Sequence, residues 1–92
     1  MSVEVRVPTI LRSHTGGQKL VKGEGETLAE LFDSLDADNA GLKGRIVTDE
    51  NTLHRFVNVY INDEDVRFIG GLEAKLSDGD SVTILPAVAG GM

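Results

Sequence analysis

Val3, Val5 and Val7 alternate with the charged Glu4 and Arg6, a period of two that predicts a half-buried strand. Pro8 weakens its continuation, and Ile10 and Leu11 predict a prolongation past a bulge. His14-Thr15-Gly16-Gly17 predicts a turn, sending residues 18–22 back as a second strand that Gly23 and Gly25 break. Thr27 and Glu30 have capping-box spacing, and Leu28, Leu31, Phe32 and Leu35 follow at i, i+3, i+4 and i+7. That pattern predicts a helix of two to three turns with one apolar stripe, ended by Asp36, Asp38, Asn39 and Gly41. Residues 41–55 read as a loop containing one helical turn. Residues 56–62 alternate again, with Val57, Val59 and Ile61 on one face and Phe56, Asn58 and Tyr60 on the other. A turn at 62–65 predicts a short returning strand over 66–69. Leu72 and Leu76 mark a packed turn after Gly70-Gly71, and Asp78-Gly79-Asp80 turns into a last strand over 81–85 that Pro86 stops.

The predicted order is strand, strand, helix, strand, strand, strand. One helix with a single apolar stripe must lie across one face of a mixed sheet, an α+β architecture. The expected core is Val3, Val5, Val7, Leu28, Leu31, Phe32, Leu35, Val57, Val59, Ile61, Val82 and Ile84. Ninety-two residues make one domain, for which a radius of gyration of about 12 Å is expected. We expect the domain to occupy residues 1–86, with residues 87–92 as a flexible tail.

Nine basic against fifteen acidic residues give a formal net charge of −6. That balance argues against nucleic acid and against anionic membrane surfaces, both of which attract basic proteins, and it fits steering toward a basic partner. There is no cysteine, so disulfides, thiolate nucleophiles and thiolate metal sites are excluded. His14 and His54 stand forty positions apart and are expected to be solvated surface residues. Asp63-Glu64-Asp65 lacks the loop length and later bidentate Glu of a calcium loop. The two early Gly-Gly pairs lack phosphate-loop spacing. No secretory signal or membrane span is evident, and a cytoplasmic location is the default expectation.

The segment after Pro86, Ala87-Val88-Ala89-Gly90-Gly91-Met92, is small and uncharged. Fully extended, the five residues from Ala87 to Gly91 span about 17 Å, enough to reach down a narrow channel in another protein. Glycine at 90 and 91 passes constrictions that a Cβ would block. The alternative is a frayed terminus of small residues.

The run from Leu76 to Gly91 combines the Asp78-Gly79-Asp80 turn, the apolar strand Ser81-Val82-Thr83-Ile84-Leu85, Pro86 and Gly90-Gly91. It resembles the C-terminal signature of the ubiquitin-like sulfur carriers, the ThiS, MoaD and CysO group. The strand order matches the β-grasp fold of that family, so the resemblance covers essentially the whole chain. Residues 7–12, 14–18, 53–58 and 59–68 are most similar to the CysO type, which serves cysteine biosynthesis.

The resemblance implies that the chain is not an enzyme but a substrate and handle. An adenylating and sulfurtransferase enzyme using ATP and Mg²⁺ would activate the Gly91 carboxylate, which is ionised at neutral pH. A sulfur donor, often a rhodanese-type persulfide, would convert it to a thiocarboxylate. A PLP-dependent cysteine synthase would then accept the sulfur, and a JAMM-type zinc peptidase would release cysteine. ATP, PLP and zinc all belong to partners, with none bound by this chain. Met92 departs from the pattern, because it ties the Gly91 carbonyl into an amide. It is either a precursor residue removed by that class of peptidase or a block on the C-terminus. Rival functions are carriers for molybdopterin or thiamine biosynthesis, a ubiquitin-like protein modifier, and a β-grasp interaction module without acyl chemistry.

Alternation turns Tyr60, Thr83 and Leu85 away from the helix, and exposed apolar residues on a sheet mark partner surfaces. Leu85, next to the tail, is the leading docking candidate, with Tyr60 and with Phe68 or Ile69 beside it. The opposing reading is that these side chains cap an edge of the core.

Overall fold

The computed structural model describes residues 2–50, 52–55 and 57–86. β1 (Ser2–Arg6) is followed by a 3-10 helix (Thr9–His14), β2 (Leu20–Glu24), α1 (Leu28–Asp38) and α2 (Leu42–Ile46). β3 (Val57–Ile61) and β4 (Glu64–Asp65) come next, then two 3-10 turns (Val66–Phe68 and Gly71–Glu73) and β5 (Ser81–Pro86). The strands form one mixed sheet in the order β2-β1-β5-β3-β4. β1 and β5 are parallel, and the other neighbours are antiparallel. The Cα radius of gyration is 12.0 Å, as expected for the length.

One face of this sheet lies under α1. The alternation in β1, β3 and β5 puts Val3, Val5, Val57, Val59, Ile61, Val82 and Ile84 on that face, where they meet Leu28, Leu31, Phe32 and Leu35 of the helix. All twelve residues of the expected core are buried. The helix starts as the capping box requires, with Thr27 Oγ1 accepting from the Glu30 amide at 3.3 Å. The reciprocal bond goes one residue further back, since Glu30 Oε1 accepts from the Glu26 amide at 2.9 Å.

Three local expectations differ from what is observed. Residues 9–14 form a 3-10 helix, not a prolonged strand. Leu11 turns inward and Ile10 is left 63% exposed, because the Leu11 amide donates back to the Pro8 carbonyl. The second strand begins at Leu20 and runs through Gly23, which was expected to break it. A Cβ at Gly23 would stand 2.7 Å from Leu31 Cδ1, so this glycine is there for close helix–sheet packing. β4 has only two residues, and Val66–Phe68 winds into a 3-10 turn. Asp65 Oδ1 accepts from the Arg67 amide at 2.9 Å and bends the chain off the sheet. The helical turn expected within residues 41–55 is α2, whose Leu42 and Ile46 are fully buried and extend the expected core.

The Asp78-Gly79-Asp80 turn ties three strands together. Asp78 Oδ1 accepts from the Ser2 amide, and the Gly79 amide donates to the Ser2 carbonyl. The Asp80 carboxylate accepts from Asn62 Nδ2 at 2.9 Å and from the Ser77 amide at 2.8 Å. Asn62 Oδ1 in turn accepts from the Ser81 amide. Asn62 and Asp63 have φ of 49° and 73°, the left-handed pair that a two-residue hairpin needs. These bonds set where β5 starts. Asp80→Ala removes two charge-assisted bonds and should cost about 1–3 kcal/mol in urea unfolding. Phe32→Ala, by emptying the fully buried helix stripe, should cost about 3–5 kcal/mol in the same measurement.

Candidate functional site

Gly90, Gly91 and Met92, the residues expected to carry or block the acyl chemistry, lie outside the described residues. What is described is the platform they leave from. β5 sits between β1 and β3; its pairing with β1 runs to Thr83, and Pro86, the last described residue, lies opposite Val57 of β3.

On the face away from α1, strand register builds a row. Leu20 of β2 pairs with Arg6 of β1, Arg6 with Thr83 of β5, Thr83 with Tyr60 of β3, and Tyr60 with Asp65 of β4. Leu85 lies two residues further along β5, paired with Asn58. Of the expected docking residues, Leu85 is 45% exposed and Phe68 86% exposed, whereas Tyr60 is half-buried. Ile69 is exposed as well.

Arg67 links the Phe68 turn to this face. Its guanidinium donates to Asn58 Oδ1 at 2.6 Å and to the Val57 carbonyl at 2.9 Å, and it stands 3.8 Å from the Asp65 carboxylate. Asn58 is the cross-strand partner of Leu85, so one side chain fixes the 3-10 turn carrying Phe68 against the strand beside Leu85. Nothing in the local pattern around Arg67 signalled this role; it depends on the turn that replaces the expected strand.

A groove of about 240 Å³ runs along the other side of β5, lined by Arg6, Arg12, Lys19, Leu20, Thr83 and Leu85 among others. Leu20 is a second exposed apolar side chain on the face. Its place on this face follows from the β1–β2 register, which pairs it with Arg6. His14 and His54, expected on the surface, are half-buried. Among the described residues no group of three or more His, Cys, Asp or Glu side chains is arranged to hold a metal ion. No helix among them is long and apolar enough to cross a membrane.

A family model describing the ThiS family matches residues 5–91. The chain belongs to the ThiS family. Within it, the sulfur carrier protein CysO of Mycobacterium tuberculosis is 57% identical over 93 residues, covering 99% of this chain and all of that protein. The crystal structure of that CysO superposes with a TM-score of 0.90 at 56% identity, over 94% of this chain and 99% of the other. The crystal structure of the BexX/CysO complex of Amycolatopsis orientalis matches with a TM-score of 0.90 and 61% identity, over 97% and 99% of the two chains. The small archaeal modifier protein 3 of Haloferax volcanii is 32% identical, over 99% of this chain and all of that protein. The ThiS-family match runs through the Gly90-Gly91 pair and stops short of Met92.

Leu85→Ala and Phe68→Ala act on exposed side chains and should each change folding stability by less than about 0.5 kcal/mol. Arg67→Ala releases two bonds, one of them to a backbone carbonyl, and should cost about 1–3 kcal/mol. Urea denaturation of the three variants side by side checks the contrast.

Proposed function

We propose that this chain is a sulfur carrier for cysteine biosynthesis, whose Gly91 carboxyl group becomes a thiocarboxylate after Met92 is removed. The observation that carries the reading is the 57% identity, over essentially the whole chain, to a protein named as the sulfur carrier CysO. The platform supports it: a central strand delivers a side-chain-poor tail from the end of an exposed face.

Three covalent events follow from the chemistry of a glycine acyl group. Water adds across the Gly91–Met92 amide, giving the Gly91 carboxylate and free methionine. A carboxylate oxygen then attacks the α-phosphate of ATP, and pyrophosphate leaves. Finally a sulfide-level donor attacks the acyl carbon, the C–S bond forms, and AMP departs with the C–O bond to it broken. In this reading the chain is substrate and handle, and the catalysis belongs to its partner enzymes. Its role is to be held by enzymes in turn, through Leu85, Tyr60 and Phe68. Those partners are an adenylating and sulfurtransferase enzyme with ATP and Mg²⁺, a PLP-dependent cysteine synthase, and a zinc peptidase of the JAMM type.

The Haloferax modifier relative favours one second reading, isopeptide attachment of the processed Gly91 to lysines. Both readings share the adenylate and part at the acceptor. Intact-mass analysis of chain recovered from its native host should find loss of Met92 and exchange of a single oxygen for sulfur. Chains that keep Met92 under conditions in which the peptidase releases a C-terminal cysteine would defeat the precursor assignment. Recovery of Gly91 only in isopeptide linkage to lysine would move the chain to the modifier reading. Leu85→Ala should lower kcat/KM for pyrophosphate release by the adenylating enzyme at least tenfold, the equivalent of about 1.4 kcal/mol. An unchanged value takes Leu85 out of the docking surface.

A further inference from the structure

The charge around the tail's exit is opposite to that of the molecule. The chain has fifteen acidic and nine basic residues, yet the groove beside the end of β5 is lined by Arg6, Arg12 and Lys19 and by no carboxylate. Among the described residues neither Arg6 nor Lys19 belongs to an ion pair, whereas Lys43 pairs with Asp33 and Arg67 with Asp65. Arg12 donates from Nε to the Val7 carbonyl at 3.1 Å. That bond fixes the plane of the guanidinium and leaves its Nη groups available for a bidentate carboxylate. Leu20 and Leu85 supply apolar surface within the same groove.

Position gives the groove its occupant. Thr83, Ile84 and Leu85 line it, and Pro86, the residue before the tail, follows them directly in the chain. Each extended residue advances at most about 3.6 Å, so an enzyme that draws Gly91 into a cleft must bring the cleft's mouth close to Pro86. Its rim then covers this groove. We propose that the groove receives an acidic rim of the enzyme that adenylates the tail, with Asp or Glu carboxylates flanking an apolar side chain. This rests on the carrier function proposed above and deepens it by naming the chemistry of the partner surface.

Net charge alone pointed to a basic partner; the local arrangement reverses that expectation. Charges further apart than a Debye length, about 8–10 Å in physiological salt, are screened. At contact range an acidic rim therefore meets only the charges of the face it approaches. It is attracted by the groove and repelled by the acidic remainder of the surface. The result is selection of the tail-first orientation, an effect on association rate more than on final affinity.

The test measures association of chain ending at Gly91 with its adenylating enzyme at ~50 mM and ~500 mM salt. The variants are Arg6→Glu, Lys19→Glu and the two together, with Lys75→Glu as a control. Lys75 bridges to Thr27 ahead of α1, at the end of the sheet where β1 begins, and its reversal changes net charge as much as that of Lys19. The double variant should associate roughly tenfold or more slowly at low salt, with the gap closing to about threefold or less at high salt. Lys75→Glu should stay within about twofold of wild type. Equal slowing by Lys75→Glu, or indifference of the double variant at both salts, overturns the proposal. So do chemical-shift changes at Arg6 and Lys19 on adding Mg-ATP without enzyme, which assign the groove to nucleotide. Wild-type chain that neither binds nor releases pyrophosphate removes the carrier function and the groove proposal together. Wild-type turnover with indifferent variants removes the groove proposal alone.

Discussion

The parallel pairing of β1 with β5 is the contact on which the rest depends. It joins Glu4 to Ser81, Val5 to Val82 and Arg6 to Thr83, residues separated by almost the whole chain. Long closures of this kind are entropically costly and need strong local support. Support comes from the Asp78-Gly79-Asp80 turn, which bonds to Ser2 at one side and to Asn62 at the other. With β5 locked between β1 and β3, the last described residue stands at the centre of the sheet's end. The position of Pro86 is thereby set by contacts that join the two ends of the chain.

Burial of one sheet face under α1 decides what the other face can be. Every residue that alternates into the core leaves its neighbours facing outward, so Val5 inside means Arg6 outside, and Ile84 inside means Leu85 outside. The exposed face is thus a direct product of the packing. Its combination of Leu20, Leu85, Thr83 and Tyr60 with clustered cations has no role in holding the core.

The strongly periodic segments could be read from sequence, because burial imposes the period. Val3–Val5–Val7, the α1 stripe and Val57–Val59–Ile61 all behave as their spacing predicts. The misses occur where a tertiary contact overrides local preference. Gly23 stays within a strand because Leu31 and Leu35 need its missing Cβ. Residues 66–68 turn because Asp65 caps them. Leu42 and Ile46 belong to a helix too short for periodicity to reveal. For the candidate site, Leu85 and Phe68 were visible as apolar residues off the core pattern. The groove was not, since Arg6 lies in β1, Arg12 in the 3-10 helix and Lys19 in the bend before β2, and only the folded chain brings the three together.

The short fourth strand has a consequence for the molecule's solubility. β4 covers β3 only at Tyr60 and Ile61, which would leave the remainder of that edge open to another chain. The Val57 amide donates to the His54 carbonyl, and the Val57 carbonyl accepts from Arg67. Both bonding groups of Val57 on that edge are thus already engaged, and the charged side chain of Arg67 stands in the path of a foreign strand. That stretch of the β3 edge is thereby withheld from pairing with another copy of the chain.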